Sequence, residues 1–158
     1  MFKHILLATD GSAASQHAAQ LAVGLARVHG ARLTALYVVD PYPYLGVGEA
    51  NPLGFQAYMS AALEHAAAAH NKVAAMCEQA PPVAFQARLA EDVGASVGIV
   101  QSAKDVGADL IVVGSHGRRP LARAILGSTA DKVMRTAPCP VMVVVHGDFP
   151  DEDGKEAG

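Results

Sequence analysis

The run Gly114-Ser115-His116-Gly117, followed after nine residues by Gly127-Ser128-Thr129, has the make-up of a phosphate cradle. Glycines let the backbone adopt positive φ or approach a ligand closely, and Ser128 opens a helical stretch whose first amides lack partners of their own. Between Leu110 and Ala130 stand Arg118, Arg119 and Arg123 and no Asp or Glu, so this stretch carries +3 in a chain of net charge −3. That reversal of sign favours an anionic ligand. The 13-residue connection from Ser115 to Gly127 is more than twice the median of about 4–6 residues, and long connections in compact domains are often functional. About four or five charge-assisted hydrogen bonds of roughly 1.5–3 kcal/mol each would supply the ~8 kcal/mol of micromolar affinity, less what ordering the loop costs. Spacing alone leaves a plainer reading open, in which these glycines only end a strand and begin a helix.

Other chemistry is sparser. The chain contains no GxxxxGK[ST], and Gly46-x-Gly48 lacks its third glycine because position 51 is Asn, so neither a Walker loop nor a dinucleotide fingerprint is present. Asp10 closes an apolar run and is either a turn residue or a ligand contact. His116, inside the glycine segment, either donates to a phosphate oxygen or points to solvent. The remaining histidines have no ligand spacing such as HExxH, and His70, on an apolar stripe, is expected to be a satisfied core residue rather than a metal ligand. Cys77 and Cys139 form no CxxC pair and are read as buried thiols of a reducing compartment. Without a basic excess, and with aromatics at 5%, nucleic-acid binding is not expected. Ile5-Leu6-Leu7-Ala8 is too short for a membrane span or a signal-peptide apolar region, so a cytoplasmic protein without membrane contact is expected.

The elements that must position these groups alternate. Apolar runs at Lys3 to Thr9, Leu33 to Val39, Val83 to Leu89, Leu110 to Val113 and Val141 to Val145 read as strands. Between them, Ala14, Ala18, Leu21, Ala22 and Leu25 form one helical stripe stopped by Gly30, and Ser12 precedes it as a cap. Leu63, Ala66, Ala67, His70, Val73, Ala74 and Cys77 form a second, before Pro81-Pro82. Val93, Val97, Val100 and Ala103 form a third, and Ser128 to Arg135 a short fourth before Pro138. Tyr42 to Gly54, with two prolines and three glycines, reads as a surface loop. With 158 residues and 51% hydrophobic content, this is one α/β domain over residues 1–146, an open parallel sheet with helices on both faces, followed by a polar tail at 147–158. Such sheets bind ligands beyond the carboxyl ends of their strands, where strand order reverses. A fifth strand at the sheet edge would expose unpaired backbone, which a second copy of the chain could cover.

From Lys3 to Val145 the chain resembles the universal stress protein family, in its nucleotide-binding subgroup. The resemblance rests on Ala8-Thr9-Asp10-Gly11-Ser12, on Tyr37-Val38-Val39-Asp40, on Gly114-x-x-Gly117-x9-Gly127-Ser128, and on Ala137-Pro138-Cys139-Pro140-Val141. It implies a Rossmann-like, five-stranded sheet in the order 3-2-1-4-5, of the adenine nucleotide alpha hydrolase-like kind, and a dimer; the exposed edge of the fifth strand points to Val141 to Val145 as the homodimer contact. It further implies ATP as ligand, with Mg2+ carried by the phosphates. By that similarity Asp10 lies near the ribose, Val39 holds the adenine, and Gly114, Gly117, Arg118, Gly127, Ser128 and Thr129 surround the phosphates; Thr9 and His116 complete the set of candidate ligand contacts. A stress-response role in which nucleotide state tunes an unknown protein partner follows from the same source. Two alternatives stay open: a nucleotide-independent dimeric interaction module, and a slow ATPase or self-phosphorylating protein.

Overall fold

The computed structural model describes residues 1–42, 52–115 and 126–145. Five strands, β1 (His4–Ala8), β2 (Arg32–Val39), β3 (Phe85–Glu91), β4 (Leu110–Gly114) and β5 (Val141–Val144), alternate with four helices, α1 (Ala13–His29), α2 (Pro52–Glu78), α3 (Ala95–Val106) and α4 (Ser128–Thr136). All strand pairs are parallel and the order is β3-β2-β1-β4-β5. The chain therefore steps outward from β1 to β2 and β3, returns across the sheet, and steps the other way through β4 and β5. The reversal lies between β1 and β4, as expected for this fold class.

Side chains of a strand alternate between faces, and each face has its own helical cover. Ile5, Leu7, Leu33, Ala35, Leu110 and Val112 pack against Ala18, Ala22 and Ala26 of α1 and Val73 and Cys77 of α2. Leu6, Leu36 and Ile111 point the other way, onto Ile99 and Ala103 of α3 and Val133 of α4. Ser12 caps α1 by accepting from the Ser15 N–H at 3.2 Å, and Gly30 ends that helix in the left-handed region at φ 65°. Both are the residues expected from sequence.

The helix faces differ from the sequence reading. On α1 the inward residues are Ser15, Ala18, Ala19, Ala22, Val23 and Ala26, while Leu21 is 43% exposed and Ala14 and Leu25 are half-buried. The sheet is approached through small side chains, which let helix and strands come close; the leucines sit at the flank. On α3 Val97 is exposed and Gly98 faces inward, where an added Cβ would meet the Val93 and Val38 side chains at 3.0–3.3 Å. On α2 Ala69 is buried and Leu63 and Ala67 are exposed. Burial of strands on both faces holds for β1 and β4 but not for the edges, since β3 and β5 are mostly half-buried or exposed.

Candidate functional site

A cavity of about 760 Å³ opens beyond the carboxyl ends of β1, β2 and β4. Thr9 and Asp10 reach it from β1, Val39 and Asp40 from β2, and Gly114 and Ser115 from β4, together with Gly127, Ser128 and Thr129 at the start of α4. Seven of the expected site residues, Thr9, Asp10, Val39, Gly114, Gly127, Ser128 and Thr129, thus border one space. His116, Gly117 and Arg118 lie outside the described residues, as do Arg119 and Arg123.

The β1 exit is built by local polar contacts. Thr9, 7% exposed, donates its N–H to the Leu36 carbonyl at 2.9 Å and its hydroxyl to Ser15 Oγ at 3.2 Å. Asp10 Oδ1 accepts from the Ser12 N–H at 2.9 Å, an Asx turn that fixes the carboxylate beside the helix start. Gly11, at φ 77°, makes the reversal between them, with its N–H 3.3 Å from Thr9 Oγ1. Here glycine is required by the backbone.

The β4 side closes differently. Ser115 donates its N–H to the Val144 carbonyl at 2.8 Å, and its own carbonyl accepts from the Gly127 N–H at 2.7 Å, stitching the two ends of the 13-residue connection together beside the cavity. Gly127 is the N-cap of α4, with φ −58° and ψ 150° and no side-chain cap bond. Of the two uses of glycine named from sequence, positive φ does not apply at Gly127: among the described residues only Gly11, Gly30 and Gly107 are left-handed glycines. What Gly127 supplies is a missing side chain at an uncapped helix start, where the first amides and the helix dipole favour an anion.

Sequence reasoning missed the second wall. Tyr58 and His65 of α2 and Ile99 of α3 also line the cavity. Among the described lining residues the carboxylates are Asp10 and Asp40 and the imidazole of His65 is the basic group. Behind that wall, His70 is not the satisfied core histidine expected. Its Nε2 is buried without a hydrogen-bond partner among the described residues, and its ring stands edge-on to Tyr37 at 6.5 Å. Burial holds its pKa below the ordinary value, with partial relief from the main chain at Ala35 and Arg88. Cys77 is buried as expected, and Cys139 is half-buried beside β5; burial raises both thiols.

Comparison with known proteins agrees with this architecture. The universal stress protein family model matches residues 1–145. Universal stress protein MJ0531 of Methanocaldococcus jannaschii is 36% identical over 144 residues, covering 91% of this chain and 82% of that protein. The solved structure of universal stress protein UspA from Lactobacillus plantarum is 32% identical with a TM-score of 0.71, covering 90% of this chain and 97% of its own. A universal stress protein crystallised in complex with cAMP shares the fold at 24% identity and a TM-score of 0.63, covering 91% and 97%.

Proposed function

Because the chain belongs to the universal stress protein family, we propose that it is an adenine-nucleotide-binding member, with ATP as its ligand, acting as a cytoplasmic stress-response dimer whose nucleotide state tunes partner binding. The observation that carries this reading is the start of α4 at Gly127, without a side-chain cap bond and bordering the same cavity as Asp10 and Val39. The cavity volume lies within the range of about 300–1,000 Å³ usual for small-molecule sites. A fold neighbour is a cAMP complex, which favours the same ligand class.

In this reading the amides of Ser128 and Thr129 hold phosphate oxygens, Asp10 accepts from the ribose, and the main chain at Val39 recognises adenine. Asp10 and Asp40 leave the described lining acidic, so a triphosphate needs compensating charge. The arginines at 118, 119 and 123 supply part of it, and Mg2+ brought with the nucleotide, held mainly by phosphate and water, supplies the rest. The dimer forms through Val141 to Val145: β5 is a sheet edge, and Val145, directly after it, is 58% exposed.

Calorimetric titration of ATP into wild type and Gly127→Val tests the site. The backbone at 127 lies in a region any L-residue adopts, and a valine side chain there would obstruct the amides; micromolar binding lost by about 100-fold or more is expected. A wild type that binds no adenine nucleotide, or a variant that binds equally well, would overturn the reading. Sedimentation as a monomer at micromolar concentration would overturn the dimer.

A further inference from the structure

We propose that Tyr58 is a positioning residue for the nucleobase, its ring forming the wall against which the base packs and its hydroxyl fixing the strand exit that recognises it. The inference rests on the nucleotide reading above and adds an affinity determinant from a helix outside the glycine pattern.

The chain is poor in aromatic residues, with four Tyr, four Phe and no Trp. Three of these eight, Tyr42, Phe55 and Tyr58, nevertheless meet at one place. Tyr42 stands edge-on to Phe55 at 5.7 Å and to Tyr58 at 5.3 Å. The cluster sits where β2 ends and α2 begins, and Tyr58 from it borders the cavity next to Val39 and Asp40. Aromatic rings beside a cavity of this size offer every base a π-face to stack on.

The hydroxyl does a second job. The ladder between β2 and β3 ends with Val39 paired to Glu91, so the Asp40 carbonyl has left the sheet, and Pro41 beyond it carries no N–H. Tyr58 donates to that carbonyl at 2.8 Å. The bond ties the peptide following Val39 to α2 and so holds the β2 exit in the orientation that main-chain recognition of a base requires. Half-buried Tyr58 packs on the cluster of Tyr37, Val39, Ala66 and Ala69 and borders the cavity beside Val39, which places its ring at the base end of the site.

The division of labour follows: base end on Tyr58 and β2, phosphate end on α4. Stacking tolerates any base, so the ring contributes affinity without choosing among bases, while the hydroxyl bears on base choice through the β2 exit it holds. The test compares ATP, GTP and inorganic tripolyphosphate on wild type, Tyr58→Phe and Tyr58→Ala. Tyr58→Phe should weaken ATP about fivefold, through the lost bond to Asp40, and Tyr58→Ala about thirtyfold or more. Both variants should narrow the preference for ATP over GTP, through the loosened β2 exit, while the ability of tripolyphosphate to compete should stay as in wild type. A purely structural tyrosine would weaken tripolyphosphate and ATP together; that result, or Tyr58→Ala binding ATP within twofold of wild type, overturns the proposal. If Tyr58→Ala fails to fold, Tyr58→Phe decides alone, and unchanged ATP affinity overturns it. Failure of wild type to bind any nucleotide removes the underlying reading, a result distinct from unchanged binding in the variants.

Discussion

Replacing Gly11 with alanine puts one methyl group where the structure resists it twice. The residue sits at φ 77°, and a Cβ there would stand 3.3 Å from the Ala69 Cβ on α2. An L-residue in the left-handed region costs about 1–2 kcal/mol, and the close contact forces α2 back by a few tenths of an ångström, adding roughly 1 kcal/mol. The stiffer unfolded chain returns about 0.4–1 kcal/mol. The net loss is about 2 kcal/mol, which for a domain of this size lowers Tm by roughly 4–8 °C. Two companion variants separate the causes. Gly30 is also left-handed, at φ 65°, but nothing lies within 4 Å of its added Cβ, so Gly30→Ala should cost only the backbone share, about 1 kcal/mol. Gly24 lies in the middle of α1 with open space around it, and Gly24→Ala should stabilise by about 0.5–1 kcal/mol. Thermal unfolding followed by circular dichroism reads all three. Gly11→Ala melting at or above wild type, or no lower than Gly30→Ala, would refute the account of the β1 exit.

Leu6, fully buried between the sheet and the α3–α4 layer, should cost about 2–5 kcal/mol as Leu6→Ala; a urea midpoint near wild type would contradict the two-layer core. His4 and His70 both have pKa values held below 6.5 by burial, His4 also by Arg32. The unfolded chain thus takes up protons first as pH drops below 6.5, and stability declines from there until the folded-state pKa values are passed. Urea midpoints measured from about pH 8 down to about pH 5 should fall, and less steeply in His70→Leu; a flat profile in wild type would exclude this linkage.

The alternation of strands and helices was legible because apolar runs such as Leu110 to Val113 end in glycine, proline or aspartate, which punctuate the chain whatever the tertiary context. The burial faces of the helices were less so. Leu21 looked like a core residue by hydropathy, yet the sheet takes Ala18, Ala19 and Ala22 because they allow closer approach, a choice set by the neighbouring layer and invisible to periodicity. The glycine spacing pointed to the β4–α4 junction that borders the cavity, and of the two uses of glycine read there, the structure leaves close approach rather than positive φ at Gly127. The α2 wall was not legible. Tyr58 meets Asp40 across 18 residues, and only the path from the end of β2 into a 27-residue helix brings them together. Tyr42, Phe55 and Tyr58, close in sequence within an aromatic-poor chain, were the available hint.

The most direct measurement is a crystal structure of the protein grown with ATP and Mg2+. The triphosphate should lie within hydrogen-bond distance of the Ser128 and Thr129 amides, with the ribose at Asp10 and the base between Val39 and Tyr58. An empty cavity at saturating ATP, or phosphates bound away from the start of α4, would contradict the account.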